Sequence, residues 1–256
     1  MDTLTPRTTP GTVPLLGVTF HDTPLEDMTA ALLARPPGAP FAYVVTPNAD
    51  HIVRLKRVPE LLPVYRAAHY CLLDSQFIAR AACWLGLAHP AVVPGADLTA
   101  ALLHRMHGAR IAVIGMQPHA FAALAARYPG NTFLHHAPPM GLRENLPAFA
   151  AARDFGRAAQ ADFTFIALGS PLQEYLAHAI ATHGGATGTG LCIGSGLDFC
   201  AGTARRAPLW MRRNGLEWLY RLNQEPFRLA RRYLRDDPQI LRDLLTAAWA
   251  RRAPRS

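Results

Sequence analysis

The chain has 256 residues, half of them hydrophobic and 17% charged. That balance excludes a disordered chain, a collagen and a disulfide-stapled miniprotein, and the length fits one large domain or a domain with an appendage. The net charge of +8 lies wholly at one end: residues 1–203 carry 13 basic and 13 acidic side chains, whereas residues 204–256 carry 13 Arg against 5 acids.

In chain order, the opening MDTLTPRTTP has no basic start followed by an apolar core, so no secretory signal is expected. No later apolar run approaches the roughly 18 residues of a membrane-spanning helix. Short apolar runs at Phe41–Val45, His69–Leu73, Arg110–Gly115, Thr132–His135, Asp162–Leu168 and Gly190–Ile193 read as strands, with a shorter one over Leu15–Phe20. Between them lie segments of helical spacing such as Ala120–Tyr128 and Leu146–Ala159. Strands alternating with helices predict an α/β fold with a largely parallel, Rossmann-like sheet flanked by helices.

Thr23-Pro24-Leu25-Glu26 and Ser170-Pro171-Leu172-Gln173 both have the form of a capping box with Pro at the first helical position. Beyond Pro208 the pattern changes to amphipathic pieces over Leu216–Asn223 and Phe227–Leu234, with Pro226 expected to begin a new helix. Residues 1–203 therefore read as the body and 204–256 as an Arg-rich helical appendage. Cys71, Cys83, Cys192 and Cys200 form no CxxC pair and read as reduced core residues of a cytoplasmic protein.

Nearly every unusual polar or glycine residue follows a candidate strand, which in a parallel sheet places it on the ligand-binding rim. These are Thr46 and Asn48, Asp74, Gly115, Gly169, and Gly194, Gly196 and Asp198. Asp74 is the catalytic candidate, since a carboxylate at the end of an apolar strand is partly desolvated and suited to general-base work. Its alternative reading is a helix cap. Gln173 reads equally as the third position of a capping box, and Thr46 and Asn48 as turn and cap residues.

Gly188-x-Gly190 precedes its strand instead of following it, which excludes a dinucleotide loop. His104 with His107, and His135 with His136, lack acidic or Cys partners at ligand spacing, so no metal site and no cofactor are expected. A diphosphate would then be neutralised by arginines and helix N-termini. Arg221, Arg228 and Arg231 can supply that charge. Trp218, Leu222, Phe227, Leu229 and Tyr233 on the other face suit an anionic membrane surface.

Five stretches carry a family resemblance: TPNADH at 46–51, Asp74 after the second strand, PGADL at 94–98, ALGSPLQEYL at 167–176 and GSGLDFCAGTARRAPLWMRRNGLEWLYRLNQEPFRLARRYL at 194–234. Together the chain resembles the WecG/TagA/CpsF glycosyltransferases over about Leu16 to Leu234. The resemblance implies an inverting enzyme with a Rossmann-like body and an appendage that completes the site at the membrane. Its donor would be a UDP-sugar carrying N-acetylmannosamine, the corresponding uronic acid or glucose. Its acceptor would be a sugar linked to undecaprenyl diphosphate, in cell-surface polysaccharide synthesis.

Residue by residue, the resemblance places the family's catalytic Asp on Asp74, its Thr-x-Asn pair on Thr46 and Asn48, and its Gln on Gln173. The arginines facing the diphosphate fall on Arg221, Arg228 and Arg231. Gly194, Gly196 and Asp198 fall in the segment lining the nucleotide pocket. Three positions depart from the family pattern: Ser75 stands where Gly is usual, Leu172 where Lys is usual, and no Arg precedes PGADL around Ala91–Val93. The implied location is cytoplasmic and peripheral on the inner face of the membrane, and a homo-oligomer is compatible with it. The rival readings are a nucleic-acid-binding protein using the Arg tail and a catalytically inactive scaffold of the same family. The neutral body and the lack of a reading motif argue against nucleic acid as a partner.

Overall fold

A computed structural model describes residues 11–208, 210–211, 219–220 and 226–252, with side chains of the final helix described from 238 to 251. The first element is an antiparallel hairpin of β1 (Gly11–Leu15) and β2 (Val18–Asp22), with Leu15 opposite Val18. The single strand expected over Leu15–Phe20 is thus split. Leu16 and Gly17 have φ of 54° and 83°, the paired positive values of a tight two-residue hairpin turn.

Six strands form the main sheet: β3 (Ala42–Val45), β4 (Tyr70–Cys71), β5 (Arg110–Gly115), β6 (Thr132–His136), β7 (Phe163–Ala167) and β8 (Thr189–Cys192). Their order is β4-β3-β8-β7-β5-β6, and every pairing is parallel. The expected strand over His69–Leu73 is the most reduced, with two residues in the ladder and a single bridge from Leu73 to Val92.

Helices cover both faces, as parallel sheets require. They are α1 (Leu25–Leu33), α2 (Ala49–Arg57), α3 (Leu62–Arg66), α4 (Gln76–Trp84), α5 (Gly95–Arg105), α6 (Pro118–Arg127), α7 (Leu146–Ala158), α8 (Leu172–His183), α9 (Gly196–Ala201) and α10 (Pro226–Arg252). Alternation along the strands divides the core. Tyr43, Val45, Ile166 and Cys192 pack with α2, α4, α8 and α10, whereas Val44, Phe165 and Leu191 pack with α1, α5, α6 and α9. Each fully buried aliphatic or Phe side chain contributes about 1.5–3 kcal/mol by leaving water.

Neither expected capping box forms. At α1 the cap residue is Pro24, so Thr23 lies one place too early and makes no cap hydrogen bond, while Glu26 pairs with Arg105. At α8 the cap residue is Pro171, again without a side-chain cap, and the Ser170–Pro171 peptide is cis. Cys71, Cys192 and Cys200 are buried as expected, but Cys83 is exposed; all four are free thiols. Burial pushes the Cys71 thiol up to about 12 and Cys200 up to about 11.

Helix α10 begins at Pro226, as expected, and runs through Pro238. Its later turns are seated on the body. Ile240, Leu244 and Ala248 are buried, and the helix lies against α2 and α4. Lys56 Nζ meets Asp243 at 2.5 Å, Arg57 donates to Gln239 at 3.2 Å, and Arg251 donates to the Gly86 carbonyl at 2.7 Å.

Candidate active site

Thr46, Asn48, Asp74, Gly169, Gln173, Gly194, Gly196 and Asp198 follow the carboxyl ends of β3, β4, β7 and β8. Asp74, half-buried, follows β4. Its N–H donates to the Pro47 carbonyl at 3.0 Å, and its Oδ2 accepts the N–H of Gly95, the first residue of α5, at 3.2 Å. Asp74 is not the cap of α4. That position belongs to Ser75, whose Oγ accepts the Ile78 N–H at 3.2 Å. The carboxylate is therefore held at the rim between the loop after β3 and the positive end of α5.

Thr46 is buried beside the same helix start. A Cβ on Gly95 would lie 2.7 Å from Thr46 Oγ1, so only glycine lets α5 begin this close to the threonine. Asn48 is a cap: its Oδ1 accepts the Asp50 N–H at 3.1 Å, and its own N–H donates to His51 Nδ1 at 3.2 Å. This reciprocal arrangement is a capping box with His in the place usually taken by Glu or Gln.

Gln173 is 4% exposed. Its Oε1 accepts the Gly194 N–H at 2.8 Å, and its Nε2 donates to Glu174 Oε1 at 2.9 Å. The side chain thus braces the loop after β7 to the loop after β8. Two residues on, Gly196 opens α9 with its Cα face against Ala96 of α5; a Cβ there would be 3.5 Å from Ala96 Cα. Asp198 sits in the first turn of α9. Burial pushes its carboxyl up, with His119 partly opposing the shift.

These contacts close into a ring. Asn48 and Thr46 share a loop, Thr46 meets Gly95, Gly95 holds Asp74, Ala96 meets Gly196, and Gly194 returns through Gln173 and Glu174 toward His51 and Asn48. Gly115 and Gly169 stand outside it. Gly115 has φ of 94°, a Cβ there would be 2.5 Å from the Ala167 carbonyl, and its own carbonyl meets His135 Nε2 at 2.8 Å. The Gly169 carbonyl accepts the Gln173 N–H at 3.0 Å. Between β4 and β5 lie three strands, so four spacings of roughly 4.8 Å put Asp74 and Gly115 about 19 Å apart along the rim.

Arg221 lies outside the described residues, and Arg228 and Arg231 are in α10 with side chains outside them. The histidines singled out as unlikely ligands pack against rings: His104 on Tyr128, His135 on Phe121 and His136 on Phe155. Among the described residues no three His, Cys, Asp or Glu side chains gather as a metal site.

Sequence reasoning missed His51, Gly95, Glu174 and Arg206, the last of which reaches both carboxylate oxygens of Asp97. All four lie inside the stretches that carry the family resemblance: His51 in TPNADH, Gly95 in PGADL, Glu174 in ALGSPLQEYL and Arg206 in the block over 194–234. The usable signal was Asn48-x-x-His51, which has capping-box spacing.

A half-buried carboxylate, a buried amide and glycine loops at the rim of a six-stranded parallel sheet define an α/β protein built to bind and act on a ligand at its strand ends. Residues 13–254 match the glycosyl transferase WecG/TagA/CpsF family, and the chain belongs to that family. It is a glycosyltransferase that uses a UDP-sugar donor. Among similar proteins is the N-acetylglucosaminyldiphosphoundecaprenol N-acetyl-beta-D-mannosaminyltransferase of Staphylococcus aureus strain MW2, 25% identical over 90% of this chain and 91% of that protein. The protein of that name from Bacillus spizizenii is 26% identical over 74% of each chain. Its Bacillus subtilis counterpart is 40% identical over a shorter stretch, 31% of this chain and 30% of the relative.

Proposed function

We propose that this glycosyltransferase moves a sugar from its UDP carrier onto a sugar linked through diphosphate to undecaprenol, with inversion at the anomeric carbon. The relatives' activity makes N-acetylmannosamine the first donor to test, ahead of its uronic acid and glucose. Asp74 takes the proton from the acceptor hydroxyl, which attacks the anomeric carbon in line as UDP leaves from the opposite face. Charge developing on UDP is met by Arg221, Arg228 and Arg231 from the appendage, and each well-placed donor is worth a few kcal/mol, about 2.7–4 in measured cases. The scheme asks for no metal. The rim of about 19 Å between Asp74 and Gly115 suits an extended nucleotide sugar. The observation that carries the reading is Asp74 itself: a half-buried carboxylate on the rim, relieved of capping by Ser75 and fixed by the Gly95 N–H.

The acceptor's lipid tail requires approach to a bilayer, and the last helix has a face for it. Leu241, Leu245 and Trp249 recur every four residues and are exposed, Trp249 by 80%, and Trp84 at the end of α4 is 88% exposed. The bond from Arg251 to Gly86 brings the ends of α10 and α4 together. An apolar ridge on the end of the chain that carries all the net positive charge fits an anionic membrane surface. Among the described residues no helix is long and apolar enough to cross a membrane. The protein then works as a peripheral enzyme on the cytoplasmic face.

The test is a panel of UDP-sugars with a short-chain lipid-diphosphate N-acetylglucosamine acceptor, comparing the wild type with Asp74→Asn. Loss of a general base is expected to cut transfer by about 10²–10⁴-fold while donor binding persists. Retained turnover in Asp74→Asn removes the proposed base, and no transfer from any UDP-sugar removes the reading.

A further inference from the structure

Behind the rim lies a buried acid that the scheme above does not use. Glu174 is 1% exposed, in the first turn of α8. Its Oε1 accepts Gln173 Nε2 at 2.9 Å and lies 3.7 Å from His51 Nε2, whereas its Oε2 has no hydrogen-bond partner among the described residues. A carboxylate so placed costs several kcal/mol in lost hydration, which its neighbours must offset. Three loops meet here: Asn48 and His51 come from the loop and helix after β3, Gln173 and Glu174 from the loop after β7, and Gly194 from the loop after β8.

The hydrogen bonds fix the direction of each group. An amide can turn end for end, exchanging donor for acceptor. At Gln173 one end faces a backbone N–H and the other a carboxylate, so only one orientation satisfies both. Glu174 and the Gly194 N–H each exclude the flipped amide, the first because a carboxylate accepts and cannot donate, the second because an N–H donates and cannot accept. His51 is held on the same turn: its Nδ1 lies 2.8 Å from Asn48 Oδ1 and 3.2 Å from the Asn48 N–H, which leaves Nε2 as the ring nitrogen facing the acid. At 3.7 Å that contact is electrostatic and falls short of a hydrogen bond.

We propose that Glu174 and His51 are positioning residues for the transfer reaction: the buried carboxylate sets the Gln173 amide on the Gly194 N–H and, through the His51 ring, holds the Asn48 turn in register with it. This proposal rests on the transferase reading for its effect on rate, though not for the geometry. The chain Asn48–His51–Glu174–Gln173–Gly194 makes one rigid arc of half the ring around the rim. Displacing a positioned group by 1 Å can cost about 100-fold in rate, and a loop shift of that kind acts on the transition state more than on ground-state binding.

The test separates positioning from simple core packing by using His51→Gln. Glutamine at this position keeps the capping box, since its side chain also reaches back to the cap N–H, but it presents no ring nitrogen to Glu174. Glu174→Gln keeps an acceptor of the same shape while losing the charge and one of the two groups that exclude the flipped amide, and Glu174→Leu removes the acceptor altogether. Two quantities are read on the full-length protein. The first is the amide signal and hydrogen exchange of Gly194 in protein labelled with ¹⁵N-glycine. The second is kcat and KM for the UDP-sugar turned over by the wild type.

Expected for His51→Gln is a melting temperature within a few degrees of wild type, a fall in kcat of about tenfold and a KM changed by less than threefold. Expected for Glu174→Gln is a shifted Gly194 signal with faster exchange and a larger fall in kcat; Glu174→Leu exceeds it if it folds. Wild-type kcat in both His51→Gln and Glu174→Gln, or an unchanged Gly194 amide in Glu174→Gln, overturns the proposal. The amide readout needs no substrate, so it decides the geometry even where the donor panel fails. Failure of that panel counts against the transferase reading alone.

Discussion

Arg206 grips both carboxylate oxygens of Asp97, tying the segment after α9 to the first turn of α5. Gly95, two residues before Asp97, supplies the N–H that holds Asp74. The fork therefore steadies the element on which the proposed base rests. Side chains of the pair are 15% and 29% exposed, intermediate between surface bridges worth about 0–1 kcal/mol and buried pairs whose disruption costs about 3–5. Arg206→Ala is expected to cost about 1–3 kcal/mol in urea unfolding, and a loss below about 0.5 would class the pair with ordinary surface bridges.

Glycine at 95 is a steric requirement. The Cβ of an alanine would stand 2.7 Å from Thr46 Oγ1, and the short, branched threonine side chain has little room to give. Gly95→Ala is expected to push the Asp74–Gly95 contact apart and to lower kcat/KM by tenfold or more, with only about 1–3 kcal/mol of destabilisation. Steady-state kinetics beside thermal melting checks it, and unchanged kinetics would show that Thr46 yields at no cost to the site.

How much of this arrangement could be read from residue order depends on the kind of contact. The strands were legible because apolar runs bounded by turn residues have few other fates, and Asp74 stood out as a carboxylate ending such a run. The hairpin turn at Leu16-Gly17 was hidden, because Leu16 is not a residue that advertises positive φ. The capping boxes at Thr23 and Ser170 were misread because Pro24 and Pro171 are themselves the cap residues. The box that exists uses His51 at its third position. Glu174 went unnoticed because its role comes from Gln173 and His51, one adjacent and one more than a hundred residues away, and spacing records only the first.

Histidine burial gives the fold a pH dependence of definite sign. His21 and His69 are held below their ordinary value, first by burial and for His69 also by nearby Arg35 and His21; burial and His135 lower His136 in the same way. Between those lowered values and the unfolded value of about 6.5, the unfolded chain binds more protons, so stability is complete above that range and lost as pH falls through it. Asp198 acts in the opposite sense at lower pH: with its carboxyl raised, its contribution declines as pH rises from about 3.8. Urea midpoints are expected to be lower at pH 5.5 than at pH 7.5, and His21→Gln with His69→Gln to narrow the gap. An equal gap in that variant would place the pH dependence elsewhere.

Adjacent faces of α10 let stability and the proposed membrane contact be tested separately. Leu244 is fully buried against the core shared with α2 and α4, whereas Leu241, Leu245 and Trp249 are exposed. Leu244→Ala leaves a cavity and is expected to cost about 2–5 kcal/mol. Trp249→Ser combined with Trp84→Ser removes no buried contact, so unfolding should change by no more than about 0.5 kcal/mol. If the ridge meets lipid, the same double variant should bind vesicles containing an anionic phospholipid about tenfold more weakly, as expected when two interfacial aromatic anchors are lost. Sedimentation with such vesicles measures it. Equal binding by the double variant and the wild type would leave the two tryptophans without a role there.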